Sequence, residues 1–419
     1  MPPPAYAFTL PSLDGLSLDC RLYHPKGHEF QGRCALVTHP YAPLGGSYDD
    51  PVVEAMTKCL LRSGYVVGTC NFRGAPGSKG STSWTGRGER GDCIAVSGFM
   101  IYYIHYVLEQ QRQRQRQRQG ADDTRYPTGD ANDGLPTSSS TIEVCLAGYS
   151  YGSLIISRQL PQLSDIIQLF ESAERGTAPA EIILRAMRLA KETASNAVLA
   201  QAVADGTPAS PSGQTRHVRT ASPIIVGGEE TDSSERRIYS REGGNKGRRL
   251  SMEVKRKAVE IPHRIRVHLR RRSSGSDVVP RKAGATVTAE AATPTSPLTL
   301  TEQQMKGTPA AVSVRYLLVS PLLPPLSYAL CIPSFMHREA TPAKETAGMS
   351  DHRNKVLAVF GSNDHFTSAK RLHAWATRQS EERGQTFQWA EIAGGGHFWR
   401  EEGVIQTLQD KVVRWLRED

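Results

Sequence analysis

Cysteine is scarce in this 419-residue sequence, and its seven copies form no pairing pattern. They are Cys20, Cys34, Cys59, Cys70, Cys93, Cys145 and Cys331, an odd number with no CxxC pair. That excludes the disulfide framework of a small secreted domain and the spacing of a zinc ribbon. Cys34, Cys70 and Cys145 lie in or beside apolar runs that read as strands, so they are expected to be small buried thiols in a reducing compartment. Metal spacing is missing too. His24 and His28 stand four apart, but Pro25 and Gly27 between them prevent a shared helix face. No metal and no organic cofactor is expected.

Long apolar runs are also lacking. Val96–Leu108 is too short to span a bilayer, and Tyr316–Phe335 is broken by four prolines. The first residues, MPPPAYAFTLPSLDG, have no charged stretch followed by an apolar core, so no signal peptide is expected. These absences point to a soluble, cytoplasmic protein. Hydrophobic residues make up only 38% of the chain, so part of it is expected to stay unpacked.

Charge indicates which part. Pro211–Leu300 holds 18 Lys and Arg against 9 Asp and Glu, a surplus of nine that equals the net charge of +9 for the whole chain. The remainder is therefore neutral, which gives no reason to expect nucleic acid as a partner of the catalytic part. Residues 206–311 are expected to be a basic disordered segment. The segment contains Arg248-Arg249-Leu250-Ser251 and Arg271-Arg272-Ser273-Ser274, patterns that suit basophilic kinases or partner contacts. The same basic clusters also fit a nuclear address.

The rest alternates between strand and helix signals. Phe8–Tyr23 suggests an opening hairpin, and Cys34–Thr38 a short buried strand. Asp50-Pro51 starts a helix with an N-cap and a proline at the first helical position, and Gly64 ends it. Asp92 is expected to cap a second helix, whose apolar stripe runs from Val96 to Leu108. Gln110–Gln119 is an alternating Gln/Arg run that reads as a solvated insertion or helix extension; a nucleic-acid role for its four arginines is the alternative. Ala180–Val203 suggests surface helices. The expected architecture is α/β, a mostly parallel sheet with helices on both faces. A catalytic domain is expected over 1–108, 141–165 and 312–419. A Gln/Arg-rich insertion would occupy 109–140 and a helical insertion 166–205.

Gly148-Tyr149-Ser150-Tyr151-Gly152 matches G-x-S-x-G, follows an apolar strand and precedes a helix-like segment. A sharp strand-to-helix turn needs small flanking residues and presents its serine at the sheet edge. A serine hydroxyl is a weak nucleophile and needs a base, and the base needs orienting. Asp364 follows the apolar strand Val356–Phe360, and His397 follows three glycines after the last apolar strand. The order Ser, Asp, His makes Ser150, Asp364 and His397 the candidate nucleophile, orienting acid and general base. The backbone N–H of Tyr151 is the first candidate oxyanion donor. Pro40 has none, so Tyr41 is the second.

With these residues in place, the sequence resembles α/β-hydrolase fold serine enzymes. Within them it is similar to the small hydrolases near dienelactone hydrolases and serine aminopeptidase-like domains. The likeness is carried by His39-Pro40-Tyr41 with Gly45-Gly46, by Asn71-Phe72-Arg73-Gly74 with Gly77-Ser78, and by Ser150, Asp364 and His397. Many relatives have His-Gly where this chain has His39-Pro40. The resemblance implies an acyl-enzyme route on a small-molecule ester or thioester. A serine peptidase, an acyltransferase and a non-enzymatic scaffold stay open as alternatives. An aminopeptidase would want carboxylates near the site for the substrate amine, and Glu89 and Asp92 are candidates by position only. The Pro- and Leu-rich stretch between Ser320 and Lys355 leaves room for a small apolar cap over a partly hydrophobic pocket.

Overall fold

The computed structural model describes residues 3–26, 30–83, 85–122, 141–204, 225–226, 309, 311–327 and 348–418, with side chains described as far as 117 and 197 in the two longest helices. The strands are β1 (Tyr6–Pro11), β2 (Ser17–Tyr23), β3 (Arg33–Thr38), β4 (Val66–Cys70), β5 (Ile142–Tyr149), β6 (Ile225–Val226), β7 (Val312–Val319), β8 (Lys355–Asn363) and β9 (Phe387–Gly396). The helices are α1 (Pro51–Arg62), α2 (Arg87–Asp122), α3 (Tyr151–Arg158), α4 (Leu163–Glu171), α5 (Ala178–Ala204), α6 (Ala369–Arg383) and α7 (Val404–Leu416). One sheet has the order β6-β1-β2-β4-β3-β5-β7-β8-β9. The β1–β2 and β2–β4 pairs are antiparallel, and all others are parallel. This is a mostly parallel α/β sheet with helices, as the sequence led us to expect.

Alternation along the strands feeds two cores. Val37, Ala147, Val319 and Val359 face the side covered by α1 and α7, where Val52, Met56, Leu408 and Val412 are buried with them. Burial of each such aliphatic side chain is worth about 1.5–3 kcal/mol before chain entropy is charged against it. Helix α1 starts as expected. The Asp50 carboxylate accepts the Val52 N–H at 2.8 Å, Pro51 is first in the helix, and Gly64 follows the end at φ 83°.

Helix α2 departs from expectation. It begins at Arg87, so Asp92 lies inside its first turns and caps nothing. The Gln/Arg run continues the same helix to Asp122, and Arg114 donates to the Ala194 carbonyl of α5. The insertion expected from residue 109 therefore starts within a core helix. By length and composition α2 could cross a membrane, but 89% of its most apolar window is buried inside the protein. It lies close on the sheet: a Cβ at Gly68 would come 2.5 Å from Met100 Sδ.

The region expected as a helical insertion, 166–205, is integral to the domain. Ile182, Ala186, Leu189 and Ala190 of α5 are fully or almost fully buried, not surface groups. Phe170 of α4 fills the space above Gly98 of α2. A buried chain of hydroxyls ties α5 down. Thr193 Oγ1 lies 2.7 Å from Tyr103 Oη and 3.0 Å from Tyr6 Oη, and His24 Nε2 lies 2.8 Å from Tyr103 Oη. Two residues of the segment expected to be unstructured, Ile225 and Val226, pair with Ala7 and Phe8 at the sheet edge. The kinase-like motifs, and most of the stretch expected as a cap, lie outside the described residues.

Candidate active site

The C-terminal end of β5 turns sharply into α3, and Ser150 occupies the turn at φ 55°, ψ −112°. A non-glycine residue held there carries backbone strain of about 1–3 kcal/mol, which the surroundings must enforce. They do so through two glycines. A Cβ at Gly148 would meet Ser153 N at 2.5 Å, and one at Gly152 would meet Thr38 Oγ1 at 2.6 Å and the Thr38 carbonyl at 2.7 Å. The Ser150 N–H donates to the Val319 carbonyl at 2.9 Å, which fixes the turn to the neighbouring strand.

Ser150, Asp364 and His397 come together over the sheet edge. Ser150 Oγ lies 2.8 Å from His397 Nε2, and His397 Nδ1 lies 2.8 Å from Asp364 Oδ2. A carboxylate can only accept, so Nδ1 carries the proton and Nε2 is the acceptor facing the serine. Asp364 Oδ1 accepts the Phe366 N–H at 2.9 Å and the Thr367 N–H at 3.1 Å. Burial alone would raise the Asp364 carboxyl. The His397 hydrogen bond and charge, with those two amides, outweigh burial and hold it below the usual carboxylate value.

The loop that carries His397 is held from several sides. Tyr149 Oη donates to the His397 carbonyl at 2.8 Å. The Gly396 N–H donates to Glu401 at 3.1 Å, and the Trp399 indole donates to Ser320 Oγ at 3.0 Å. A Cβ at Gly361 would fall 1.9 Å from the Gly395 carbonyl oxygen, so β8 and β9 pass each other closely just before Asp364 and His397. The three-glycine run is thus partly a packing requirement.

Tyr41 lies opposite, just before a short turn at Ala42–Leu44, and its carbonyl accepts the N–H groups of Leu44 and Gly46. Its ring meets that of Tyr151, the first residue of α3, edge-on at 5.0 Å. Of the two residues expected as oxyanion donors, Tyr151 directly follows Ser150, and Tyr41 reaches it through this ring contact with Tyr151. His39, a residue the sequence marked only as part of a loop motif, organises this side. Its Nε2 accepts the Phe72 N–H at 2.8 Å, so Nδ1 carries the proton and donates to the Pro40 carbonyl at 2.6 Å. Burial pushes its pKa down to about 4, with the Pro40 bond opposing, so it stays neutral.

Glu89 and Asp92, candidates by position for a substrate amine, are both fully buried. Glu89 accepts the Ser83 N–H and hydroxyl. Asp92 accepts from Ser12 Oγ at 2.7 Å, from the Arg73 N–H at 3.0 Å and from its guanidinium at 2.6 Å. Each is committed within the protein. Phe366 was not foreseen at all. Its ring stacks on the His397 imidazole, and a residue two places after an aspartate carries no sequence signal of that kind. Among the described residues, no group of His, Cys, Asp and Glu could hold a metal ion.

No family model matches the chain, and no curated protein matches it. Among solved structures, it is similar to an α/β serine hydrolase homologue from Coxiella burnetii at 13% identity and TM-score 0.39, covering 98% of this chain and 96% of that one. It is similar to an α/β serine hydrolase without a lid from Xanthomonas campestris at 14% identity and TM-score 0.40, covering 100% and 98%. A third is Est1E from Butyrivibrio proteoclasticus with ferulic acid bound, at 9% identity and TM-score 0.39, covering 96% of each chain.

Proposed function

We propose that the protein is a serine hydrolase that cleaves a carboxylic ester or thioester through an acyl-enzyme on Ser150. The observation that carries this reading is the unbroken hydrogen-bond chain Ser150–His397–Asp364 at a strained strand-to-helix turn. Ser150 Oγ attacks the acyl carbon while its proton passes to His397 Nε2. Asp364 holds the Nδ1–H tautomer and stabilises the imidazolium that forms. The N–H groups of Tyr151 and Tyr41 are assigned to the oxyanion, where loss of one donor costs ~10²–10³ in rate. His397 then protonates the leaving group, and water releases the acyl group by the reverse sequence.

The committed partners of Glu89 and Asp92 favour this reading over an aminopeptidase, since neither carboxylate is left for a substrate amine. A scaffold would gain nothing from keeping a serine in strained backbone against a histidine. Labelling by a fluorophosphonate probe tests the proposal. The wild type should be labelled and Ser150→Ala should not, after which a p-nitrophenyl ester series would define the acyl group. A folded wild type that resists the probe would reject the reading.

A further inference from the structure

His397 has one nitrogen for the reaction, because Nδ1 is engaged by Asp364 at 2.8 Å. On the hydrolase reading above, which this inference deepens, the proton taken from Ser150 must also leave from Nε2. It goes to the leaving oxygen or sulfur as the bond from that atom to the acyl carbon breaks and the bond to Ser150 Oγ is kept. The leaving atom therefore comes within about 3 Å of Nε2. Whatever carbon skeleton it carries must lie against the surface around the imidazole.

That surface is aromatic. The Phe366 ring stacks on the imidazole with centroids 4.3 Å apart and planes at 29°. The Phe398 ring stands perpendicular to both, 5.6 Å from each. Phe366 is 37% exposed and Phe398 54%, two of the five exposed large hydrophobic residues among those described. Both touch the same histidine. The Arg400 guanidinium lies 5.3 Å from the centre of the Phe398 ring, so a cationic group would meet a like charge there.

We propose that Phe366 and Phe398 form the leaving-group subsite, and that it selects esters whose alcohol or thiol part is apolar and uncharged.

The test holds the acyl group constant and varies the alcohol. Benzyl and methyl acetate suit it, because the two alcohols are of similar acidity and the ratio of their kcat/KM values reports recognition. In wild type the ratio should favour benzyl. Phe398→Ser should lower it roughly three- to tenfold, the worth of an aromatic contact. Phe398→Tyr should preserve it, and so should Leu184→Ser, which removes an exposed hydrophobic group from α5. Thermal melts confirm that each variant is folded. A Phe398→Ser ratio equal to that of wild type, with both esters still turned over, overturns the subsite alone. Wild type that hydrolyses neither ester and resists the fluorophosphonate probe overturns the hydrolase reading and the subsite with it.

Discussion

The ring of Phe366 lies nearly parallel to the imidazole of His397 at 4.3 Å, while its own backbone N–H donates to Asp364 at 2.9 Å. One residue thus touches both partners of the serine. An aromatic face attracts a cation, so it favours the imidazolium present while the proton is in transit. Phe366→Leu keeps bulk and the backbone bond but removes that face. The expected result is a fall in kcat of roughly two- to fivefold. An unchanged kcat would leave Phe366 a packing residue.

Gly152 permits α3 to meet β3. An added methyl would sit 2.6–2.8 Å from Thr38 Oγ1 and the carbonyls of Thr38 and His39, and the two carbonyls are backbone groups that cannot swing aside. Gly152→Ala should cost about 1–3 kcal/mol, the usual penalty for overpacking. It should also reduce fluorophosphonate labelling, because the displaced helix begins next to the nucleophile. Urea unfolding and labelling rate measure the two effects separately.

Asp92 neutralises a mostly buried guanidinium. The Arg73 side chain is 11% exposed, and Asp14 is its other carboxylate partner at 2.8 Å. Removing one partner of a buried pair typically costs 3–5 kcal/mol. With Asp14 still in place, Asp92→Asn should cost about 3 kcal/mol, near the lower end of that range. Pairing it with Arg73→Met should recover part of the loss, since the uncompensated charge is then gone. Additive losses in this double-mutant comparison would contradict the buried-pair account.

Acid should destabilise the fold through two histidines. Burial pushes His24 and His39 down to about 4, from an ordinary value of 6.5. Between those limits the unfolded chain takes up protons that the native state refuses, so stability falls as pH drops from about 6.5 toward 4. Above 6.5 both states leave the imidazoles neutral and the slope vanishes. For His39 the full effect is on the order of 3 kcal/mol. His39→Gln, which keeps a hydrogen-bonding side chain without titrating, should flatten that slope in denaturation curves taken from pH 7 to 4.5.

Much of the site could be read before the fold was known. The Gly148–Gly152 turn, the cap at Asp50, the opening hairpin and the order Ser150, Asp364, His397 all depend on neighbours in the chain or on strand ends marked by apolar runs. The misreadings share one cause. Asp92 looked like a cap because a carboxylate before an apolar stripe usually is one, yet the helix had begun at Arg87 and the charge answers Arg73, nineteen residues back. Helix α5 looked superficial because its apolar positions are interrupted by charges, yet the buried side chains fall on one stripe facing α2 and β1.

Local information thus sufficed for many of the elements, for the charge surplus held by one segment and for the three side chains that the fold brings together. Those features follow from backbone preference, side-chain period and residue chemistry within a few positions. Long-range packing alone decided the rest. His39 stays neutral because the fold buries it, and its Nε2 accepts an amide 33 residues away, at Phe72. The aromatic surround of His397 depends on β8 and β9 closing to backbone contact at Gly361 and Gly395. No run of neighbouring residues encodes such approaches, because they arise from how separate strands and helices share one buried volume.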